Sequence, residues 1–165
     1  KENLGLNIEF PTAYRIGKTL ANKDDKFYWL KRDIPTGYVN ILLYELPLKA
    51  IKKDTSIIEQ IVRVRDSIGK KYIAGPIEGS YMITEDAYTP FNTEIILDNK
   101  PTLETKGMWE VKNAVMAGPY INYAIEDKIN KRWIVAEGFA YAPSVEKRNY
   151  VFELEAIIKS IKIEK

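Results

Sequence analysis

The chain has 165 residues, 25 of them basic and 23 acidic, with no histidine and no cysteine. Without histidine it lacks the usual general base near neutral pH and the commonest metal ligand, and without cysteine it lacks thiolate chemistry and disulfides. The net charge of +2 comes from basic pairs scattered among acids, which is no footprint for nucleic acid, and no apolar run approaches the ~20 residues that span a bilayer.

The length predicts a single domain over residues 1–165. A domain of this size buries roughly 70% of its unfolded surface, so one core suffices without crosslinks or metals. The sequence starts at Lys1 and runs directly into a strand-like segment, so the expectation is a piece of a longer protein.

Leu6 to Phe10 reads as a short strand stopped by Pro11. Tyr14 to Leu20 and Lys26 to Arg32 are two more, joined by the polar turn Asn22 to Asp25. After the turn Pro35-Thr36-Gly37 comes the strand Tyr38 to Leu46. The period then changes: Ile57, Ile61, Val64, Ile68 and Tyr72 recur at helical spacing, and Ser56 with Glu59 fits a capping box, so a helix is predicted from Ser56 to Tyr72. The Gly/Pro loop Gly75 to Gly79 closes it.

Strand patterns resume at Ser80 to Glu85, Phe91 to Leu97, Pro101 to Lys112, Pro119 to Glu126 and Arg132 to Ala142. The short turns between them, around Asp98 to Lys100 and Asp127 to Asn130, imply antiparallel hairpins. A final helix is predicted after Pro143, with Ser144 as N-cap and Tyr150, Leu154, Ile157 and Ile161 on its apolar face. In the strand from Trp133, one face is large (Trp133, Val135, Glu137, Phe139, Tyr141). The other is small (Ile134, Ala136, Gly138, Ala140, Ala142). Both faces look covered, so the predicted fold is α+β: an antiparallel sheet with helices packed on both faces.

Few motifs carry chemistry. Gly17-Lys18-Thr19 echoes a phosphate loop, but the earlier glycine that pattern needs would fall at Thr12. Ser67-Ile68-Gly69-Lys70 and Ser144-Val145-Glu146-Lys147 match S-x-x-K without the companion Ser-Asp-Asn and Lys-Thr-Gly elements, and helix ends explain them. Glu137 interrupts an apolar face. It is read either as a buried general acid or as the salt-bridge partner of an arginine such as Arg63, Arg65 or Arg148. Trp29, Tyr44, Trp109 and Trp133 lie in strands, where core packing is the default. Tyr88 and Phe91 fall in the loop Glu85-Asp86-Ala87-Tyr88-Thr89-Pro90-Phe91, where aromatics on a rigid scaffold can bind a partner. Glu85, Asp86, Tyr88 and Phe91 are therefore the candidate binding residues. No catalytic residue, metal ligand or cofactor site is identified.

Three stretches together resemble a known family: Lys70 to Met82, then Lys106 to Val111 with Met116 to Tyr120, then Val135 to Pro143 running into Lys147 to Tyr150. They are similar to predicted lipoproteins of Bacteroidetes that share a domain of unknown function, and the resemblance runs from Gly5 to Lys162. It implies the C-terminal portion of a cell-envelope lipoprotein, tethered to the membrane only through a lipid anchor upstream of Lys1. It supplies no catalytic residues. The layout also resembles the Mog1/PsbP fold, an α/β/α sandwich whose members are mostly binding or assembly modules.

Three functions follow as expectations. The first is a non-catalytic module that binds another envelope component, protein or glycan, through the loops Gly75 to Gly79 and Glu85 to Phe91. The second is carbohydrate binding on exposed, coplanar aromatic rings. The third is a hydrolase using two facing carboxylates, with Glu137 as one of them.

Overall fold

A computed structural model describes residues 4–21, 26–142 and 147–164, with the backbone alone for 17–21. The strands are β1 (Leu6–Asn7), β2 (Arg15–Ala21), β3 (Lys26–Ile34), β4 (Gly37–Pro47), β5 (Met82–Thr84), β6 (Phe91–Leu97), β7 (Lys100–Val111), β8 (Ala117–Asp127), β9 (Arg132–Tyr141) and β10 (Lys162–Ile163). Helix α1 (Ile57–Tyr72) falls between β4 and β5, and α2 (Arg148–Lys159) between β9 and β10.

Eight strands form one antiparallel sheet in the order β2-β3-β4-β9-β8-β7-β5, with β6 also pairing to β7. The expected α+β class, an antiparallel sheet with two helices, is what the chain adopts. The hairpin turns behave as their residues dictate. Asp98 and Asn99 sit at φ of 51° and 60°, the left-handed region that Asp and Asn tolerate and that a two-residue hairpin needs.

The residues of β9 alternate between two buried clusters. Ile134, Ala136 and Ala140 pack with Leu154, Ile157 and Ile158 of α2. Trp133, Val135 and Phe139 pack with Ile61 and Tyr72 of α1. The small side chains matter to the first contact, because a Cβ on Gly138 would lie 2.9 Å from Leu154 Cβ. Burying an aliphatic side chain of this kind contributes roughly 1.5–3 kcal/mol, so packing on this face is a main support for a helix too short to be stable alone.

Four local expectations need correction. The first strand is only two residues long and pairs with β10 outside the main sheet, because the chain leaves extended pairing before Pro11. β10 itself lies where the apolar run had suggested only the end of a helix; Ile161 is buried just beyond α2. The capping box at α1 is not formed: Ser56 is the N-cap but makes no side-chain cap bond. Gln60 serves that turn instead, as its side-chain nitrogen donates to the Ser56 carbonyl at 3.2 Å and the Lys52 carbonyl at 2.7 Å, and its oxygen accepts from the Lys52 amide at 2.7 Å. Finally, α2 begins at Arg148, and the expected cap Ser144 lies outside the described residues, as does the turn Asn22 to Asp25.

Candidate functional site

Glu137 is sealed in the core at 2% exposure, beside Arg65 of α1, also at 2%. Arg65 Nε donates to Glu137 Oε1, and Nη2 donates to Oε2 at 3.1 Å, a bidentate pair. Asn122 Nδ2 donates to Oε1 at 3.0 Å. The guanidinium also donates through Nη1 to Thr84 Oγ1 and lies 3.4 Å over the Tyr120 ring. Burial works against the arginine's charge, but Glu137 outweighs it and holds the guanidinium protonated. Burial pushes the Tyr120 phenol up to about 12. A carboxylate with both oxygens committed to arginine and no access to solvent cannot protonate a leaving group. The hydrolase centred on Glu137 is thereby overturned.

The loop residues lie elsewhere. Tyr88 is 61% exposed and Phe91 is 76% exposed, at the start of edge strand β6. Among the described residues no ring contact joins them, so they form no stacked platform. Glu85 accepts a hydrogen bond from the Ala87 amide at 3.0 Å. It also shares a hydrogen bond with Glu110, which holds Glu85 below the usual carboxylate range and raises Glu110. Asp86 adds to the negative field on Glu110. Among the described residues no group of three or more acidic side chains is placed to hold a metal ion.

A different feature has the form of a binding site. A pocket of about 280 Å³ opens beside the C-terminal end of α1. Its walls are Trp29 and Lys31 of β3, Tyr38 of β4, Met82 of β5, Trp109 and Val111 of β7, and Phe139 of β9. Ile73, Ala74, Gly75 and Pro76, which follow α1, and Met116, which precedes β8, complete the rim. Ligand sites are typically concave and mostly apolar, with a few fixed polar groups, and this pocket fits that description near the small end of the range. Other depressions differ: one of about 510 Å³ is lined by Lys26, Glu45, Asn130, Lys131 and Arg132 among others.

The rim is held by backbone bonds rather than left loose. Ala74 bridges Tyr81, the Gly75 amide donates to the Ser80 carbonyl at 2.9 Å, and the Met82 amide donates to the Ile73 carbonyl at 3.0 Å. Ser80 Oγ, buried, accepts from the Ile77 amide at 3.2 Å. The walls are fixed too. Trp109 Nε1 donates to the Ala140 carbonyl at 3.2 Å, and its ring meets Phe139 edge-on at 5.7 Å. Lys31 Nζ sits 4.1 Å from the Tyr38 ring centroid, a cation–π contact. Burial raises the Tyr38 phenol, and the neighbouring Tyr141 adds to the shift. The Tyr38 and Tyr141 rings are 5.4 Å apart but tilted by 43°, so they do not make the coplanar platform expected for a sugar.

One buried group stands out on the sheet face that carries several of these wall residues, although it does not itself line the pocket. Asn40 is fully buried, and Trp29 Nε1 donates to its Oδ1 at 2.7 Å. An indole N–H can only donate, so the atom left over on Asn40 is the amide nitrogen. That nitrogen has no hydrogen-bond partner, and leaving a buried donor unpaired costs about 1–3 kcal/mol. Asn40 lies directly opposite Lys31 on one side and Phe139 on the other. Directly paired residues share a face of the sheet, as do residues two apart, so Asn40 is surrounded by Lys31, Tyr38 and Phe139 of the pocket wall.

The sequence pointed to the Gly75 to Gly79 loop, and residues 74–76 do form part of this rim. Trp29 and Trp109 read as core because they lie in strands, and only pairing across β3, β4, β7 and β9 shows that they wall one cavity. Lys31, Tyr38 and Asn40 were missed altogether. Their one trace in the sequence is that Trp29 and Lys31 alternate on the strand before Pro35, while Tyr38 and Asn40 alternate on the strand after it.

The fold is shared with the crystal structure of LpqN, a protein involved in cell envelope biogenesis of Mycobacterium tuberculosis. The match has a TM-score of 0.52 at 11% sequence identity and covers 97% of this chain and 83% of that one. At that identity the likeness is one of fold. No described helix is long and apolar enough to cross a membrane. No curated protein matches the chain. Residues 1–160 match the model of the domain of unknown function DUF4837, and the chain belongs to that family.

Proposed function

We propose that this chain is a binding module of a cell-envelope lipoprotein, and that the pocket beside the end of α1 is where it binds. The observation that carries the reading is the pocket itself: aromatic and methionine walls on a sheet, and a rim tied by backbone bonds. The envelope location is supported by the involvement of LpqN in envelope biogenesis and by the resemblance to Bacteroidetes lipoproteins. On this reading the two buried clusters are the two faces of an α/β/α sandwich of the Mog1/PsbP type, with the membrane reached only through a lipid anchor upstream. The partner is then a small envelope component, and Tyr88 and Phe91 are not the primary surface.

Ala74 lies on the exposed rim, so filling the mouth there leaves the core alone. A thermal-shift screen of a fragment library should give stabilising hits with the native chain that are lost in Ala74→Trp. Binding adds RT ln(1 + [L]/Kd) to stability, so a ligand at a hundred times its Kd stabilises by about 2.7 kcal/mol. Hits that survive Ala74→Trp unchanged would place binding elsewhere and end the proposal.

A further inference from the structure

The edges of the main sheet differ in how they are protected. The sheet ends in β2 on one side, and in β5 and β6, both paired to β7, on the other. β2 carries a register shift between Ile16 and Lys18, and an irregular edge is a poor template for a further strand. β5 is covered: the Thr84 amide donates to Asp66 Oδ1 of α1 at 2.8 Å, and the Met82 amide donates to the Ile73 carbonyl at 3.0 Å. β6 has neither device. Among the described residues β7 is its only strand partner, and Phe91, Thr93, Glu94 and Ile96 are exposed.

The hairpin fixes which backbone groups of β6 are free. Leu97 and Lys100 face each other across the two-residue turn Asp98-Asn99, so they exchange both backbone hydrogen bonds. Pairing then alternates. Ile95, Thr93 and Phe91 bond to β7, while the amides and carbonyls of Asn92, Glu94 and Ile96 point away from it. Pro101, which has no amide hydrogen, stands opposite Ile96, as this alternation requires. Among the described residues no hydrogen bond takes up the outward groups. What satisfies them is one more extended strand.

The side chains of β6 select which strand fits. β6 can meet β6 of a second copy antiparallel about a two-fold axis, and each position of the axis sets definite pairs. An axis at Glu94 sets two carboxylates directly opposite, which is destabilising. An axis at Ile95 sets Glu94 against Ile96 twice. An axis at Thr93 sets Thr93 against Thr93, Phe91 against Ile95 twice, and Asn92 against Glu94 twice. Threonine pairs and aromatic–β-branched pairs are favourable across strands. Asn92 Nδ2 gives one hydrogen to Thr105 Oγ1 at 2.9 Å and keeps a second for the carboxylate of Glu94.

We propose that the chain pairs with a second copy of itself through β6, antiparallel about Thr93, so that two sheets join edge to edge. No residue of β6 lines the pocket beside α1, so the pairing leaves that pocket open and stands or falls apart from it.

The test is sedimentation equilibrium of the intact chain with charge variants at Thr93, an exposed position where substitution should leave the fold alone. The native chain should dimerise below about 100 µM. Thr93→Lys and Thr93→Glu should each weaken the dimer at least about fivefold, and an equimolar mixture of the two should restore it, because opposite charges then face each other. The chain has no cysteine, so single cysteines report the register as well. Two Thr93→Cys thiols sit on Cα atoms about 4.5 Å apart, within disulfide reach, whereas Glu94→Cys sets them about 7–8 Å apart, beyond it. Under mild oxidation Thr93→Cys should link at least about tenfold faster than Glu94→Cys. A native chain that stays monomeric to about 100 µM would overturn the proposal. A dimer indifferent to both charges would place the contact elsewhere and overturn it too. A mixture no more dimeric than its parts, or Glu94→Cys linking as fast as Thr93→Cys, would overturn the axis at Thr93.

Discussion

Arg65 and Glu137 show how much one buried pair can decide. Each ion would be costly in the core alone, and each is made tolerable by the other, with Asn122 and Thr84 filling remaining hydrogen-bond positions. Removing one partner leaves the other charge uncompensated, so Arg65→Met should destabilise the chain by about 3–5 kcal/mol in urea denaturation. The double variant Arg65→Met/Glu137→Leu should recover much of that loss, because a well-packed apolar pair replaces a buried ion pair at little net cost. A double variant no better than the single would mean that the pair itself, and not the orphaned charge, sets the cost. The sequence carried half of this: Glu137 breaks an apolar face, and Arg65 was among its three named partners. It could not choose between Arg63, Arg65 and Arg148, since that depends on which side of α1 meets β9. Asn40 was invisible for a similar reason, because nothing in a strand sequence says that an amide oxygen will accept from a tryptophan 11 residues earlier on the neighbouring strand.

At the scale of elements, α1 is set by how closely it approaches β5. Gly69 is in the helix, where Gly→Ala ordinarily gains about 1 kcal/mol. Here a Cβ would come within 2.0 Å of the Met82 carbonyl oxygen, a backbone atom that cannot rotate away. Gly69→Ala should therefore destabilise, by about 1–3 kcal/mol as for other overpacked sites, and a measured gain in Tm would contradict this contact. The elements themselves were largely legible, because alternation and helical spacing report burial directly. Ends were less so. Ser56 is the N-cap as expected, but its capping-box bond does not form, because Ser-x-x-Glu records the residues present whereas the bonds of that turn depend on Lys52 folding back beside Gln60. The two-residue pair β1 and β10 joins chain ends 157 residues apart, a contact with no local signature.

For the whole molecule, several buried tyrosines set an alkaline limit. Burial raises the phenols of Tyr14, Tyr44, Tyr120 and Tyr123, with neighbouring Glu153 adding to the shift at Tyr14 and Glu104 at Tyr123. A raised folded pKa means that the native state keeps protons which the unfolded chain gives up. The stabilisation is thus fully present below the ordinary tyrosine value of about 10 and is lost as the pH rises through the raised values. Thermal melts by circular dichroism should show a steady Tm between pH 8 and about 9.5, then a marked fall above about 10. A Tm unchanged to pH 11 would mean that these phenols are less buried than described. The same whole-molecule view explains why the pocket was not legible. Its walls come from five strands and the segment after α1, so it exists only once the sheet order is known.

The central claim, that the molecule binds at this pocket, is tested most directly by the three indole N–H signals in a nitrogen-15 spectrum. Trp29 and Trp109 line the pocket, while Trp133 donates to the Leu48 carbonyl at 2.9 Å and is not among the lining residues. Titration with small aromatic fragments should shift the Trp29 and Trp109 signals and leave Trp133 in place. Fragments that bind while moving Trp133 alone, or none of the three, would contradict the account.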